Sequence, residues 1–101
     1  MLEEEWTVAV GADLTRAAQV IAAACAAEGL RLTLDSTLAK YPGCRHWHYK
    51  RDRQRGTLEI TLWPARRRLW ITVHAGRTGD SIADCLPRIR RAVEAGLDAP
   101  G

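Results

Sequence analysis

The sequence predicts a two-layer α+β domain, with an antiparallel sheet in β-α-β-β-β-β-α order and both helices packed on one face. Three observations lead there. Five short runs alternate apolar and polar side chains, two longer runs follow helical spacing, and a length of 101 residues suits a single core. The domain is expected over residues 1–96, with 97–101 as a frayed tail.

Trp6, Val8 and Val10 alternate with Thr7 and Ala9, which predicts a first strand ending at Gly11. Asp13 is a good N-cap for the helix that follows. Leu14, Ala17, Ala18, Ile21, Ala24 and Cys25 form its apolar stripe, and Gly29 supplies the stop. Leu30, Leu32 and Leu34 predict a second strand. A loop from Asp35 to Cys44 then contains the turn former Tyr41-Pro42-Gly43.

Arg45–Arg51, Thr57–Trp63 and Arg68–His74 read as a meander joined by two short hairpin connections. The last helix places Ile82, Cys85, Leu86, Ile89 and Val93 on one face, with Thr78 or Asp80 as cap. Pro87 interrupts it, so either a kink or a short turn followed by a helix starting near Pro87 is expected. This element order is shared with the TATA-binding-protein-like group of folds, an analogy at the level of fold that leaves function open.

Composition narrows the function classes. The acidic start Glu3-Glu4-Glu5 does not resemble a secretory signal, and the Ala17–Ala27 stretch is too short and too weakly apolar to span a bilayer. Cys25, Cys44 and Cys85 form no CxxC motif, and an odd number leaves one unpaired, which points to a reducing, cytoplasmic setting. The net charge of +3 is uneven: residues 1–44 hold three basic and six acidic side chains, residues 45–101 twelve and six. The second half is therefore the electropositive one, and all its basic residues except Lys50 are arginine.

Strand alternation assigns the chemistry to one face. With Leu58, Ile60, Leu62, Leu69, Ile71 and Val73 under the helices, Thr57, Glu59, Thr61, Trp63, Trp70, Thr72 and His74 point away. Trp47 and Tyr49 make the core pair of the preceding strand, which leaves His46, His48 and Lys50 on the outer face. Hairpin register sets Trp63 opposite Arg68, Thr61 opposite Trp70 and Thr57 opposite His74. Parity permits His48 opposite Glu59 and His46 opposite Thr61, or a shift of two residues; in the first register the carboxylate beside His48 favours imidazolium.

Such a face suits a binding module better than an enzyme. Trp63, Trp70, His46, His48 and His74 offer stacking surfaces for RNA or DNA, with Arg51, Arg53 and Arg55 at one end and Arg66, Arg67 and Arg68 at the other. The alternative is a protein interface, with another protein or a second copy, through the same tryptophans. No membrane partner is expected. His46 and His48 at i and i+2 can share an ion, and Cys44 continues the same parity, but two or three ligands in one strand lack the closure of a zinc site, so no metal or cofactor is expected. Catalysis is the remaining option, with His48 or His46 as general base and Glu59 orienting it. The stretch Gly43-Cys44-Arg45-His46-Trp47-His48-Tyr49 resembles the HicA family of small toxin ribonucleases, which implies a strand histidine acting on RNA. The first strand and the arginine-flanked strand Arg68–His74 depart from that family's pattern.

Overall fold

The computed structural model describes residues 2–8, 14–53, 56–74 and 82–98, and the elements follow in the expected order. Strands β1 (Leu2–Thr7), β2 (Arg31–Ser36), β3 (Arg45–Lys50), β4 (Thr57–Trp63) and β5 (Arg68–His74) form one antiparallel sheet, ordered β1-β5-β4-β3-β2 in space. Helix α1 (Ala17–Ala27), entered through a 3-10 turn at Leu14–Arg16, links the strands at the two edges of the sheet. The meander of β3, β4 and β5 then returns until β5 pairs with β1. Helix α2 (Leu86–Asp98) closes the chain, preceded by a 3-10 turn at Ile82–Cys85, with Pro87 in its first turn, where its missing N–H costs nothing.

The core lies between the sheet and the helices. Ile21, Ala24 and Cys25 of α1 and Leu86, Ile89, Val93 and Leu97 of α2 are buried with Trp47, Tyr49, Leu58, Ile60, Leu62, Leu69, Ile71 and Val73. Helix α1 ends in a Schellman motif: Leu30 N–H donates to Cys25 O at 3.0 Å and Gly29 N–H to Ala26 O at 2.9 Å, with Gly29 left-handed at φ 74°. Arg88 then ties the start of α2 to this corner through Glu28 at 2.7 Å. Cys25 and Cys85 are apolar fillers. Burial, reinforced by the neighbouring Cys85, pushes the Cys25 thiol up to about 12.

Several expectations are corrected. Strand β1 begins at Leu2 and ends at Thr7, because the whole acidic run finds partners along β5, from Leu2 opposite Val73 to Thr7 opposite Arg68. Its Trp6 is only partly buried, under Arg90, whereas Trp47 is in the core. In β2 a bulge between Leu32 and Leu34 breaks the expected single face. Leu32 sits opposite Tyr49 on the helix side, while Leu34 sits opposite His48 on the outer side. Helix α2 continues past Gly96, and Leu97, expected in a frayed tail, is buried. Val10, Gly11, Asp13, Arg55, Thr78 and Asp80 lie outside the described residues.

Candidate functional site

The outer face of the sheet carries the rows that alternation predicts. His46 lies opposite Thr61 and His48 opposite Glu59 across β3 and β4; Thr61 lies opposite Trp70, Glu59 opposite Thr72 and Thr57 opposite His74 across β4 and β5. Sheet order puts Glu59 on the central strand. Its side chain therefore has a histidine-bearing strand on each side.

All three histidines of the chain converge on that carboxylate. His46 Nε2 and His48 Nε2 each lie 3.4 Å from Glu59 Oε1 and 2.9 Å from one another, while His74 Nε2 lies 2.6 Å from Glu59 Oε2. The remaining ring nitrogen of His46, Nδ1, is 2.8 Å from Thr61 Oγ1. The roles depend on the tautomer: with the proton on Nδ1, His46 donates to that hydroxyl and its Nε2 accepts from His48, whereas with the proton on Nε2 the ring donates to Glu59 and Nδ1 accepts from Thr61. His46 is 7% exposed and Thr61 1%, so their contact is sealed from water. His48, Glu59 and His74 are half-buried.

Burial decides the charge on His46. It lowers the imidazole pKa, His48 lowers it further, and the opposing pull of Glu59 does not compensate. At His46, which lies opposite Thr61, desolvation and a second imidazole outweigh the one carboxylate. Chemically, the cluster brings two imidazole nitrogens and a carboxylate oxygen to one point, an arrangement that can hold a cation or orient a base.

The two outer tryptophans are less open than alternation implies. Tyr41, in the loop between β2 and β3, packs its ring 5.0 Å from both Trp63 and Trp70, and Trp63 Nε1 donates to Pro42 O at 2.9 Å. A type II turn over Tyr41–Cys44 with Gly43 at φ 84° brings the loop back, and Cys44 secures it by accepting from Leu38 N–H at 3.2 Å. Cys44 is thus committed to the loop and stays out of the histidine cluster. Each ring of the trio also has a cation over it: Lys40 at 5.6 Å from Tyr41, Arg66 at 5.9 Å from Trp63 and Arg68 at 5.1 Å from Trp70.

The arginines of the two clusters take different places in the fold. Arg66 and Arg68 border the aromatic trio, and Arg68 also pairs with Glu5 at 2.6 Å. Arg67 turns the β4–β5 hairpin in a left-handed conformation at φ 50°. Arg51 is used structurally, donating to Glu28 O at 2.7 Å at the end of α1. Arg53 is exposed in the β3–β4 connection at φ 65°, and Arg55 lies outside the described residues. In the sequence Tyr41 reads only as part of a turn, and no local signal reveals that its ring folds over the sheet.

Comparison of the chain with known protein families, curated proteins and solved structures finds no match.

Proposed function

We propose that the protein is a binding module that takes nucleic acid along the outer face of its sheet. The observation that carries this reading is the trio Tyr41, Trp63 and Trp70, each ring with a cation over it. Arg66 over Trp63 presents its edge N–H groups to phosphate, while Arg68 over Trp70 also pairs with Glu5, and the ring surface left beside these cations is available for a base to stack on. Because Tyr41 already occupies part of both indoles, backbone contacts supply most of the affinity. Glu3 and Glu5 line the β1 margin of the same face, which directs a polyanion toward β5, β4 and β3. The three free thiols support an intracellular site of action, and among the described residues no helix is long and apolar enough to cross a membrane.

Anisotropy of labelled single-stranded RNA and DNA tests the reading. Binding should weaken steeply between 50 and 200 mM salt, and Arg66→Ala should lower the logarithmic salt slope by about 1. Absence of binding at low salt, or binding indifferent to salt, overturns it.

A second reading, association with a protein or a second copy, is favoured by β2. This edge strand exposes Leu32 (47%) and Leu34 (42%), the large apolar side chains left open among the described residues. Sedimentation at twice the 11.2 kDa chain mass, abolished by Leu34→Asp, would support it.

A further inference from the structure

The histidine–glutamate cluster has a feature that phosphate binding leaves unused: three donor atoms from two adjacent strands meet at one point. His46 Nε2, His48 Nε2 and Glu59 Oε1 are separated by 2.9, 3.4 and 3.4 Å. Ligands bound tetrahedrally at roughly 2.0–2.2 Å from a zinc ion lie about 3.3–3.6 Å apart, the length of a tetrahedron edge. Two of the three separations already match. The third opens by a few tenths of an ångström when an ion replaces the contact between the two imidazoles, and His48 is only half-buried.

We propose that His46, His48 and Glu59 form a binding site for a divalent transition-metal ion of the zinc type. The donor set selects the ion: two imidazole nitrogens and a single carboxylate oxygen suit zinc, cobalt or nickel, whereas magnesium and calcium require a shell dominated by oxygen. Outer contacts hold the ligands in place. Thr61 Oγ1, 2.8 Å from His46 Nδ1, fixes the ring so that Nε2 faces the ion, and His74 Nε2, 2.6 Å from Glu59 Oε2, holds the free oxygen of the ligating carboxylate. Cys44 is turned to the backbone of Leu38, so the described residues supply three ligands and the fourth position opens toward the outer face. Three protein ligands with an open position are the pattern of metal sites that bind or activate an exogenous ligand, while closed structural sites use four.

The sheet explains why three ligands suffice to define the site. Residues i and i+2 of β3 share a face, and Glu59 sits directly across from His48, one rung diagonal from His46. A metal thus bridges β3 and β4 at the centre of the sheet, where the strands are paired on both sides.

The test is titration of the untagged full-length chain, stripped with chelator, with zinc followed by calorimetry and with cobalt followed by visible absorption. One equivalent should bind, raise the melting temperature and give cobalt the visible bands of a low-coordinate nitrogen–oxygen site; magnesium should do neither. His48→Ala and Glu59→Gln, each checked for native circular dichroism, should weaken zinc by more than the roughly 10- to 100-fold expected for loss of an outer partner, and His74→Ala should fall within that range. Absence of saturable uptake by the wild-type chain, or unchanged affinity in folded His48→Ala and Glu59→Gln, overturns the proposal. Because the trio of aromatic rings is separate from the ligands, nucleic-acid binding measured with and without chelator reports on the other reading independently.

Discussion

His74 Nε2 lies 2.6 Å from Glu59 Oε2, so the carboxylate that faces His46 and His48 on one side is held from the other by a histidine on β5. Removing either partner should therefore have less effect when the other is already gone. A double-mutant cycle of Glu59→Gln and His74→Ala, read by urea unfolding, should give a coupling of about 0.5–1 kcal/mol, modest because both side chains retain contact with water.

Thr61 is fully enclosed, and its hydroxyl is the partner of His46 Nδ1. Thr61→Val keeps the shape and removes that partner. Stability should fall by about 1–3 kcal/mol in urea denaturation, the cost of an unsatisfied buried polar group.

Tyr41 bridges Trp63 and Trp70. Tyr41→Ala should cost about 1–3 kcal/mol, from two aromatic pairs of roughly 0.5–1.5 kcal/mol each, and should shift tryptophan emission to the red as both indoles gain water. An unchanged emission maximum would show that the loop does not cover them in solution.

Gly29 ends α1 at φ 74° with open space around the position where a side chain would stand. Gly29→Ala meets backbone strain alone, and should destabilise the domain by about 1 kcal/mol in thermal or urea unfolding.

Tyr49 and Cys25 are acids whose neutral forms the core prefers. Burial, reinforced by the neighbouring Cys25 and Asp35, raises Tyr49 from 10.0 to about 12, and burial with Cys85 raises Cys25 from 9.0 to about 12. Because the unfolded chain releases these protons first, their contribution is complete below about pH 9 and is lost as pH rises toward 12. Urea midpoints should accordingly be flat with respect to these groups from pH 7 to 8.5 and fall at pH 10.5. In the folded protein Cys25 should resist alkylation at pH 8 and react only on unfolding.

The face of each strand side chain was legible in the sequence because alternation is local. Leu58, Ile60 and Leu62 under the helices oblige Glu59 and Thr61 to face outward, and the short β4–β5 connection sets Thr61 against Trp70, whereas parity left two registers for β3 against β4, of which the structure adopts the one with His48 opposite Glu59. Where locality failed, so did the reading. The bulge at Thr33, whose hydroxyl donates to His48 O at 3.2 Å, moved Leu34 to the other face without any apolar residue out of step.

What alternation determined, then, was the membership of the outer face: three histidines, Glu59, Thr61, Trp63 and Trp70. The tertiary structure alone decided how those residues meet. Strand order placed Glu59 on the central strand, within reach of His46 and His48 on β3 and His74 on β5, and the β2–β3 loop folded Tyr41 onto the tryptophans. Packing of distant segments also buried His46 deeply enough to lower its pKa despite the nearby carboxylate. Such contacts join residues far apart in the chain, and their energies depend on burial and distance, quantities that a period-two pattern does not carry.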